Sequence, residues 1–262
     1  MPAGLRHVEE IVMVGVRFET DGAVGRIVLE RPEAANSFDL PTARAFGAAV
    51  SQSEATAIRA VSLTARGPRF CAGGDVASFQ AADDRATYLH TLATELEAQL
   101  RRLSELPKPV VAGVHGAVAG AGLALVLHAD VVVAGESTKF VMAYSAIGLT
   151  PDCGVSYLLP RAIGQQRALE LAVSGKVLNA EEARDWGLVT EVVGDDQVPR
   201  RTAEVARALA SGPARAFGET KRLIRSSWGV SRADHAKDEA DTIGRVVVSD
   251  DAERLIQQFL AR

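Results

Sequence analysis

The segment that most restricts the fold of this chain is "GVHGAVAGAGLALVLHAD" at residues 113–130. A buried strand is predicted over 108–116. Small residues follow the strand, and an apolar helix follows them. A helix start presents N–H groups without an intrahelical acceptor, together with the positive end of the helix dipole. Tight packing of the strand on the helix would also explain the glycines, so the segment indicates a ligand site only with a second such turn.

A second such turn occurs in "GPRFCAGGDV" at residues 67–76. Gly73 and Gly74 let the backbone approach a ligand closely, just before Asp75 can begin a helix. Two turns of this kind that face each other would offer a pair of N–H donors to one oxygen atom. Neither is a nucleotide loop, because residues 116–122 lack the Lys-Ser/Thr of a P-loop and no G-x-G-x-x-G follows the first strands.

The remaining chain alternates between strand and helix patterns. Around the Asp21-Gly22 turn, residues 11–19 and 24–31 predict an antiparallel hairpin. Apolar spacing predicts helices over about 40–52 and 86–104, and strands at 58–66, 130–135 and 138–142. This alternation predicts a parallel sheet. Beyond Pro151 the pattern is helical for nearly all that remains, with a soft boundary near 195–200.

Composition restricts the class of protein. The 262 residues are 47% hydrophobic and 24% charged, which suits one large ordered domain or a domain with an appendage. A net charge of −4 argues against a broad nucleic-acid surface but leaves room for a small phosphorylated ligand. Cys71 and Cys153 lack the spacing of a zinc site or a disulfide scaffold, which favours a cytoplasmic location. The apolar run at 11–16 is too short to span a membrane.

Five blocks of sequence, in a set order, cover nearly the whole chain. They are "LERPEAANSF" (29–38), "RFCAGGDV" (69–76), "KPVVAGVHGAVAGAGLALVLHADVVVA" (108–134), "IGLTPDCGVSYLLPRAIG" (147–164) and "NAEEARDWGLVTEVV" (179–193). Together they resemble the crotonase superfamily, the family of enoyl-CoA hydratases and isomerases. The resemblance implies an α/β fold, the crotonase-like ββα superhelix, with a thioester-binding core at 1–197 and a C-terminal helical trimerisation segment at 198–262.

The resemblance also implies the partners of the chain. The substrate would be an acyl-CoA thioester of the kind met in fatty acid metabolism, and the assembly a homotrimer or a dimer of trimers. No metal or redox cofactor is implied, and neither a nucleic acid nor a membrane is expected as a partner.

Site residues are carried over by the same resemblance. The backbone amides of Gly74 and Ala121 would hold the thioester oxygen in an oxyanion hole, and the side chains at these positions are free to vary because both donors are main-chain groups. The substrate-binding positions of the family fall on Ala34, Asn36, Ala72, Asp75, Val76, Gly120 and Tyr144.

The chain departs from the hydratase pattern at two positions. The two glutamates that hydratases use to activate water align with Ala124 and Tyr144. Alanine has no titratable group, and a tyrosine with an ordinary pKa of about 10 is a poor base at neutral pH. Addition of water, the lyase reaction of the family, is therefore disfavoured, and Tyr144 is expected to shape the acyl pocket.

Asp152, in "GLTPDCGVSY" at 148–157, is the one carboxylate that the blocks place near the reacting carbons. Isomerase-like members, including ring-epoxyphenylacetyl-CoA isomerases, carry an aspartate in a similar "PD-x-G" block, and aryl-CoA dehalogenases use one near here as a nucleophile. The favoured hypothesis is an enoyl-CoA isomerase in which Asp152 moves a proton. The alternatives are a dehalogenase or hydrolase with Asp152 as nucleophile, and an acyl-CoA-binding protein without turnover. Asp152 could also serve only as the cap of a helix that starts near Gly154.

Overall fold

Two β-sheets organise the computed structural model, which describes residues 10–261. The strands are β1 Glu10–Met13, β2 Val16–Asp21, β3 Val24–Leu29, β4 Ala60–Ala65, β5 Val110–Val114, β6 Ala117–Ala119, β7 Val131–Gly135, β8 Lys139–Val141, β9 Val177–Asn179 and β10 Glu191–Val193. The larger sheet has the order β1-β2-β3-β4-β5-β7-β10, and the smaller has the order β6-β8-β9. Strands β3, β4, β5, β7 and β10 run parallel, as the alternation of strand and helix predicts. Residues 1–9 of the predicted core and residue 262 lie outside the described residues.

The N-terminal strands differ from the prediction in one respect. β2 and β3 join through Gly22-Ala23, so the hairpin predicted around Asp21-Gly22 is confirmed. Residues 11–19 were expected to form one strand, and that expectation is wrong, because β1 and β2 pair with each other through a two-residue turn at Val14-Gly15. Gly15 has a φ of 71°, the left-handed conformation that tight hairpin turns require. Apolar residues continue on both sides of this glycine, which hides the turn in the sequence.

Helices cover both faces of the larger sheet. They are α1 Leu40–Ser53, α2 Val76–Gln80, α3 Arg85–Glu105, α4 Ala121–His128, α5 Val155–Ile163, α6 Gln165–Ser174, α7 Ala180–Asp185, α8 Val198–Ala210, α9 Ala214–Ser226, α10 Arg232–Val246 and α11 Asp250–Leu260. Successive strand residues point to opposite faces, so in β5 Val110 and Ala112 join the main apolar core while Val111 joins a smaller one beneath α8. Both faces of the sheet are therefore buried, as in α/β proteins.

The region beyond residue 197 is helical in the described part of the chain. α8 lies on the sheet, with Val198, Thr202, Ala206 and Ala210 buried against it. The predicted boundary between the core and the C-terminal segment, after residue 197, thus falls just before α8, which packs on the sheet. α9, α10 and α11 are far less buried. Among residues 10–261, no helix combines the length and the apolar character of a membrane span.

Candidate active site

The two glycine-containing turns predicted from the sequence lie against each other. The amide of Cys71 donates to the carbonyl of Ala117 at 3.2 Å, and the amide of Ala119 donates to the carbonyl of Cys71 at 2.9 Å. This short parallel bridge brings residues 71–74 alongside β6 and the start of α4. A Cβ atom on Gly73 would lie 3.3 Å from the Ala119 carbonyl oxygen and 3.6 Å from the Ala121 nitrogen. The close approach explains why this position is glycine.

The two predicted oxyanion donors, Gly74 and Ala121, each lie three residues after one side of this bridge, which pairs Cys71 with Val118. Ala121 is the first residue of α4, so its N–H has no intrahelical acceptor and lies at the positive end of the helix dipole. Beside Gly74, the amide of Phe38 donates to the Gly73 carbonyl and the amide of Asp75 donates to the Phe38 carbonyl, both at 2.8 Å. These bonds fix the peptide groups on either side of Gly74, which is exposed. Gly74 and Ala121 thus lie in two turns that pack against each other, and their role as a pair of donors to one oxygen atom stays a prediction.

Asp75 fixes the turn that precedes α2. Its carboxylate accepts hydrogen bonds from the amides of Ala77 and Ser78 and so caps α2, and Arg31 Nη2 lies 2.8 Å from it. Burial disfavours the ionised carboxylate, but the hydrogen bonds from Arg31 and Ser78 outweigh burial and lower the pKa of Asp75. The carboxylate of this predicted substrate-binding residue is therefore engaged by protein groups.

The predicted substrate-binding segment around Asn36 packs beside the same turn. Asn36 is buried and has a left-handed φ of 54°, and its side chain accepts from the Arg31 amide and donates to the carbonyls of Arg66 and Arg69, each at 2.8 Å. The amide of Ala72 donates to the Ala35 carbonyl at 3.0 Å. Asn36 thus joins the two segments through its side chain. Its neighbour Ala34 is half-buried, and Ala72 is exposed.

Asp152 faces Tyr144 and does not cap a helix. The Tyr144 hydroxyl donates to Asp152 Oδ1 at 2.7 Å. The helix that follows, α5, has Gly154 as its N-cap and no side-chain capping bond. Cys153 and Gly154 both adopt left-handed conformations, with φ of 50° and 73°, and these two residues separate the Asp152 carboxylate from the amides of α5. The interpretation of Asp152 as a helix cap is therefore wrong.

Tyr144 lies between Asp152 and the turn at Gly120. A Cβ atom on Gly120 would lie 3.9 Å from Tyr144 Cζ, so the phenol ring reaches from the residue before Ala121 to the carboxylate. Burial raises the pKa of Tyr144 far above its ordinary value, and the negative charge of Asp152 raises it further. The hydroxyl therefore stays protonated and acts as a donor to Asp152.

A third group beside Asp152, Glu97 on α3, is not singled out by the sequence. Its Oε2 is buried and has no hydrogen-bond partner among the described residues. Burial raises the pKa of Glu97, the charge of Asp152 raises it further, and Arg101 acts in the opposite direction. Glu97 follows the buried Leu96 on the amphipathic helix α3. From the sequence alone, its side chain is therefore expected in solvent, at the edge of the apolar face. The contact with the Asp152 loop exists only in the folded chain.

An apolar cavity of about 440 Å³ lies between α2, the start of α3 and the turn that follows Tyr144. Its volume falls in the range of pockets that hold drug-sized ligands. The predicted substrate-binding residue Val76 is one of its walls. The lining residues are Val76, Phe79, Gln80, Arg85, Ala86, Leu89, Ile147 and Leu149.

The positions of the two hydratase glutamates carry no carboxylate in this fold. Ala124 is fully buried within α4, and Tyr144 is the hydrogen-bond donor described above. His128, one turn after Ala124, is buried with its Nδ1 2.8 Å from the Ala124 carbonyl oxygen, and burial lowers its pKa to about 4. In the described part of the chain, no group of three or more His, Cys, Asp or Glu side chains is placed to hold a metal ion.

The chain is similar to known proteins over most of its length. A family model described as enoyl-CoA hydratase/isomerase matches residues 19–262. The 1,2-epoxyphenylacetyl-CoA isomerase of Escherichia coli K12 is 38% identical over 85% of this chain and 82% of its own. The trans-2-decenoyl-[acyl-carrier-protein] isomerase of Streptococcus mutans is 32% identical over 81% of this chain and 82% of its own. The solved structure of an enoyl-CoA hydratase/isomerase from Cupriavidus metallidurans CH34 has a TM-score of 0.89 at 31% identity, covering 96% of this chain and 95% of that one.

The chain therefore belongs to the enoyl-CoA hydratase/isomerase family, within the crotonase superfamily. Its α/β fold is the crotonase fold of the solved relatives, as the sequence blocks imply. Membership of this family identifies an enzyme class whose members include both hydratases and isomerases.

Proposed function

We propose that this chain is an acyl thioester isomerase in which Asp152 carries a proton from one carbon of the acyl chain to another. The observation that carries the proposal is the Tyr144–Asp152 hydrogen bond of 2.7 Å, beside the turn at Gly120. It gives the site one oriented carboxylate, whereas the positions of the two hydratase glutamates hold an alanine and a tyrosine. The similarity to two proteins named as isomerases supports the same choice.

The reaction needs a stabilised enolate and one proton carrier. The amides of Gly74 and Ala121 donate to the thioester oxygen while the Asp152 carboxylate takes a proton from a carbon of the acyl group. The electrons of that C–H bond then form the enolate, whose negative charge rests on the held oxygen. Asp152 returns the proton to a different carbon, and the double bond moves without gain or loss of atoms. A preorganised donor of this kind is worth about 3–4 kcal/mol in other oxyanion holes.

Tyr144 keeps the carboxylate of Asp152 turned toward the acyl chain. As a protonated phenol it cannot accept the substrate proton, and its hydrogen bond engages Oδ1 of Asp152. The fixed geometry matters because proton transfer requires the base within hydrogen-bond reach of the carbon-bound proton.

The cavity and the family both support an acyl thioester as the substrate class. The apolar cavity beneath α2 and α3 fits a hydrocarbon or aromatic acyl group of medium size. We take a coenzyme A thioester as the carrier, consistent with the family. The named substrate of the Streptococcus mutans relative is bound to acyl carrier protein, so the two carriers are to be compared directly.

The proposed assembly is a homotrimer or a dimer of trimers. Apolar side chains on the C-terminal helices are largely exposed in the single chain, among them Ile243 at 71%, Phe259 at 76% and Leu260 at 73%. Apolar surface of this kind is typical of faces that become buried on association. The cytoplasmic location expected from the two cysteines stays a prediction.

Product analysis separates isomerisation from the other reactions of the superfamily. The protein is incubated with 2- and 3-decenoyl-CoA, and the products are identified by chromatography and mass spectrometry, with decenoyl-acyl carrier protein as a parallel substrate. We expect the two isomers to interconvert at constant mass. Gain of one water would identify a hydratase, and a covalent adduct on Asp152, seen by intact mass with a halogenated aryl-CoA, would identify the nucleophilic alternative. Tight thioester binding without any turnover would support the binding-protein alternative.

A further inference from the structure

A second cavity lies on the face of the larger sheet that α8 covers. Its walls come from β2, β3, β4, the end of β5 and α8, and its volume is about 130 Å³. Pockets that hold drug-sized ligands measure about 300–1,000 Å³, whereas one water molecule takes about 30 Å³ of the liquid. The cavity is therefore too small for an acyl-CoA thioester, and it suits an ion of the size of phosphate.

Polar groups replace apolar packing in this cavity. Val24, Ala60 and Val111 belong to the smaller core beneath α8. Two residues farther along β3 and β4, on the same face of the sheet, are Arg26 and Ser62, which are direct partners in the strand register and line the cavity. Strands of a parallel sheet that is covered on both faces normally carry apolar residues there. Packing against α8 alone thus does not account for this pair.

Ser62 contributes a buried hydroxyl group to the wall of the cavity. The residue is 3% exposed, and its Oγ has no hydrogen-bond partner among residues 10–261. A buried hydroxyl that lacks a partner destabilises a fold, so native proteins satisfy nearly all such groups with protein, water or ligand atoms. A ligand oxygen in the cavity would meet this requirement for Ser62.

Two arginines of the same wall keep N–H groups that are available to a ligand. Arg26 Nη1 lies 2.9 Å from Glu19 Oε1, and Arg66 Nε lies 3.8 Å from Glu30 Oε1. Within the described part of the chain, the side chains of Arg26 and Arg66 have no further hydrogen-bond acceptor. They are 41% and 60% exposed, so both can turn toward the cavity. A guanidinium group offers parallel N–H donors, which match the oxygen atoms of a phosphate group.

Positive charge predominates in the wall of the cavity. The described residues that line it include four arginines and one carboxylate, that of Asp21, which accepts from Arg207 Nε and Nη2 at 3.0 and 2.6 Å. The arginines are Arg17, Arg26, Arg66 and Arg207. Glu19 and Glu30 also lie 3.6 and 3.2 Å from Arg17, so each of these two carboxylates serves two arginines. An anion in the cavity would reduce the mutual repulsion of the guanidinium groups.

We propose that this cavity is a binding site for a phosphate group, either free inorganic phosphate or the phosphate of a small phosphomonoester. The Ser62 hydroxyl and the guanidinium groups of Arg26 and Arg66 donate to its oxygen atoms, and the charge of the ligand balances the arginines. Tyr144 packs against the main apolar core, on the other face of the sheet, so this site is separate from the proposed thioester site. The inference goes beyond the isomerase function and does not rest on it.

Isothermal titration calorimetry with sodium phosphate tests the site. The full-length wild type is compared with Ser62→Ala, Arg26→Gln and the control Arg44→Gln at constant ionic strength, and glycerol 3-phosphate is titrated as the ester. Arg44 is on α1, its side chain is 63% exposed, and it pairs with Glu95. We expect the wild type and Arg44→Gln to bind phosphate with equal Kd. Ser62→Ala should raise Kd about fivefold, and Arg26→Gln should raise it at least about tenfold.

Stability without phosphate separates binding from a structural role. Because the Ser62 hydroxyl has no partner within residues 10–261, Ser62→Ala should melt at the wild-type temperature in phosphate-free buffer and should gain less stability from added phosphate. A Ser62→Ala variant that melts at a clearly lower temperature without phosphate would overturn the inference, as would a wild type that binds no phosphate or an equal Kd in all four proteins.

The competing ligands identify the source of the phosphate group. Tighter binding of glycerol 3-phosphate than of inorganic phosphate would support the site with an ester as its ligand, and the reverse order would support it with the free ion. Displacement of phosphate by free coenzyme A would place the cavity in the thioester site and would overturn the inference.

Discussion

Tyr144 donates a 2.7 Å hydrogen bond to Asp152, whose carboxylate makes no capping hydrogen bond to the amides of α5. The aspartate lies in a Pro-Asp-Cys-Gly turn that could equally have capped a helix. Its orientation is decided by two consecutive left-handed residues, Cys153 and Gly154, and by the hydrogen bond from the half-buried phenol of Tyr144. The chemistry proposed for the site depends on this pair.

Removal of the phenol hydroxyl should weaken both the fold and the shuttle. Tyr144→Phe leaves the Asp152 carboxylate without this donor, which is expected to lower the free energy of unfolding by about 1–2 kcal/mol at neutral pH. The turnover number should fall as well, because the carboxylate is no longer held toward the acyl chain. Tyr157→Phe is the control, since Tyr157 is half exposed on α5 and its change should be within about 0.5 kcal/mol. Equal stability of the two variants would contradict the importance of the bond.

The turn at Gly120 should be sensitive to a single methyl group. Gly120 has φ of 51° and ψ of −116°, and a Cβ atom there would lie 3.2 Å from Gly73 Cα. Gly120→Ala is expected to destabilise the fold by about 1–3 kcal/mol and to separate the two donor amides. A Cβ atom on Gly74 would meet nothing within 4 Å, so Gly74→Ala serves as the stability control. Thermal unfolding of the two variants side by side checks the prediction, and a Gly120→Ala variant as stable as the control would refute it.

Filling the acyl cavity should change chain-length preference. Leu89→Trp adds bulk to the cavity wall, so kcat/KM for decenoyl-CoA should fall by about tenfold or more relative to butenoyl-CoA. Val173→Trp is the control, because Val173 is 78% exposed and is not a lining residue of the cavity. If Leu89→Trp reduced both substrates equally, the cavity would not be the acyl site.

The burial of Glu97 predicts an unusual dependence of stability on pH. Because burial raises the pKa of Glu97 above its ordinary 4.5, the wild type should lose stability as pH rises from about 4.5 through the raised value. Glu97→Gln lacks this loss, so its melting temperature should match the wild type in acid and exceed it near pH 8. Glu95→Gln should show the opposite sign, since Arg44 lowers the pKa of Glu95. Differential scanning calorimetry across pH decides between these outcomes, and a pH-independent difference for Glu97→Gln would contradict the assignment.

The sequence accounts for much of the framework and for part of the site. Alternating strand and helix patterns predict the parallel sheet, and the two glycine-containing segments predict two turns that face each other, because these features depend on local spacing; the roles of Gly74 and Ala121 come from the family resemblance and stay predictions. The turn at Val14-Gly15 escapes prediction, since the apolar pattern continues through it. Glu97 escapes for a different reason, because its approach to Gly154 joins α3 to a turn that is distant in the sequence.

Deuterium incorporation from solvent tests the central claim most directly. Wild type and Asp152→Asn are incubated in D2O with 3-decenoyl-CoA, and label at Cα and Cγ is quantified by mass spectrometry, with thioester binding measured separately. Asp185→Asn, an exposed substitution, controls for the loss of one carboxylate. The wild type and this control should incorporate label, whereas Asp152→Asn should bind the thioester and exchange at least about 100-fold more slowly. Exchange in Asp152→Asn at a rate close to wild type would contradict the account.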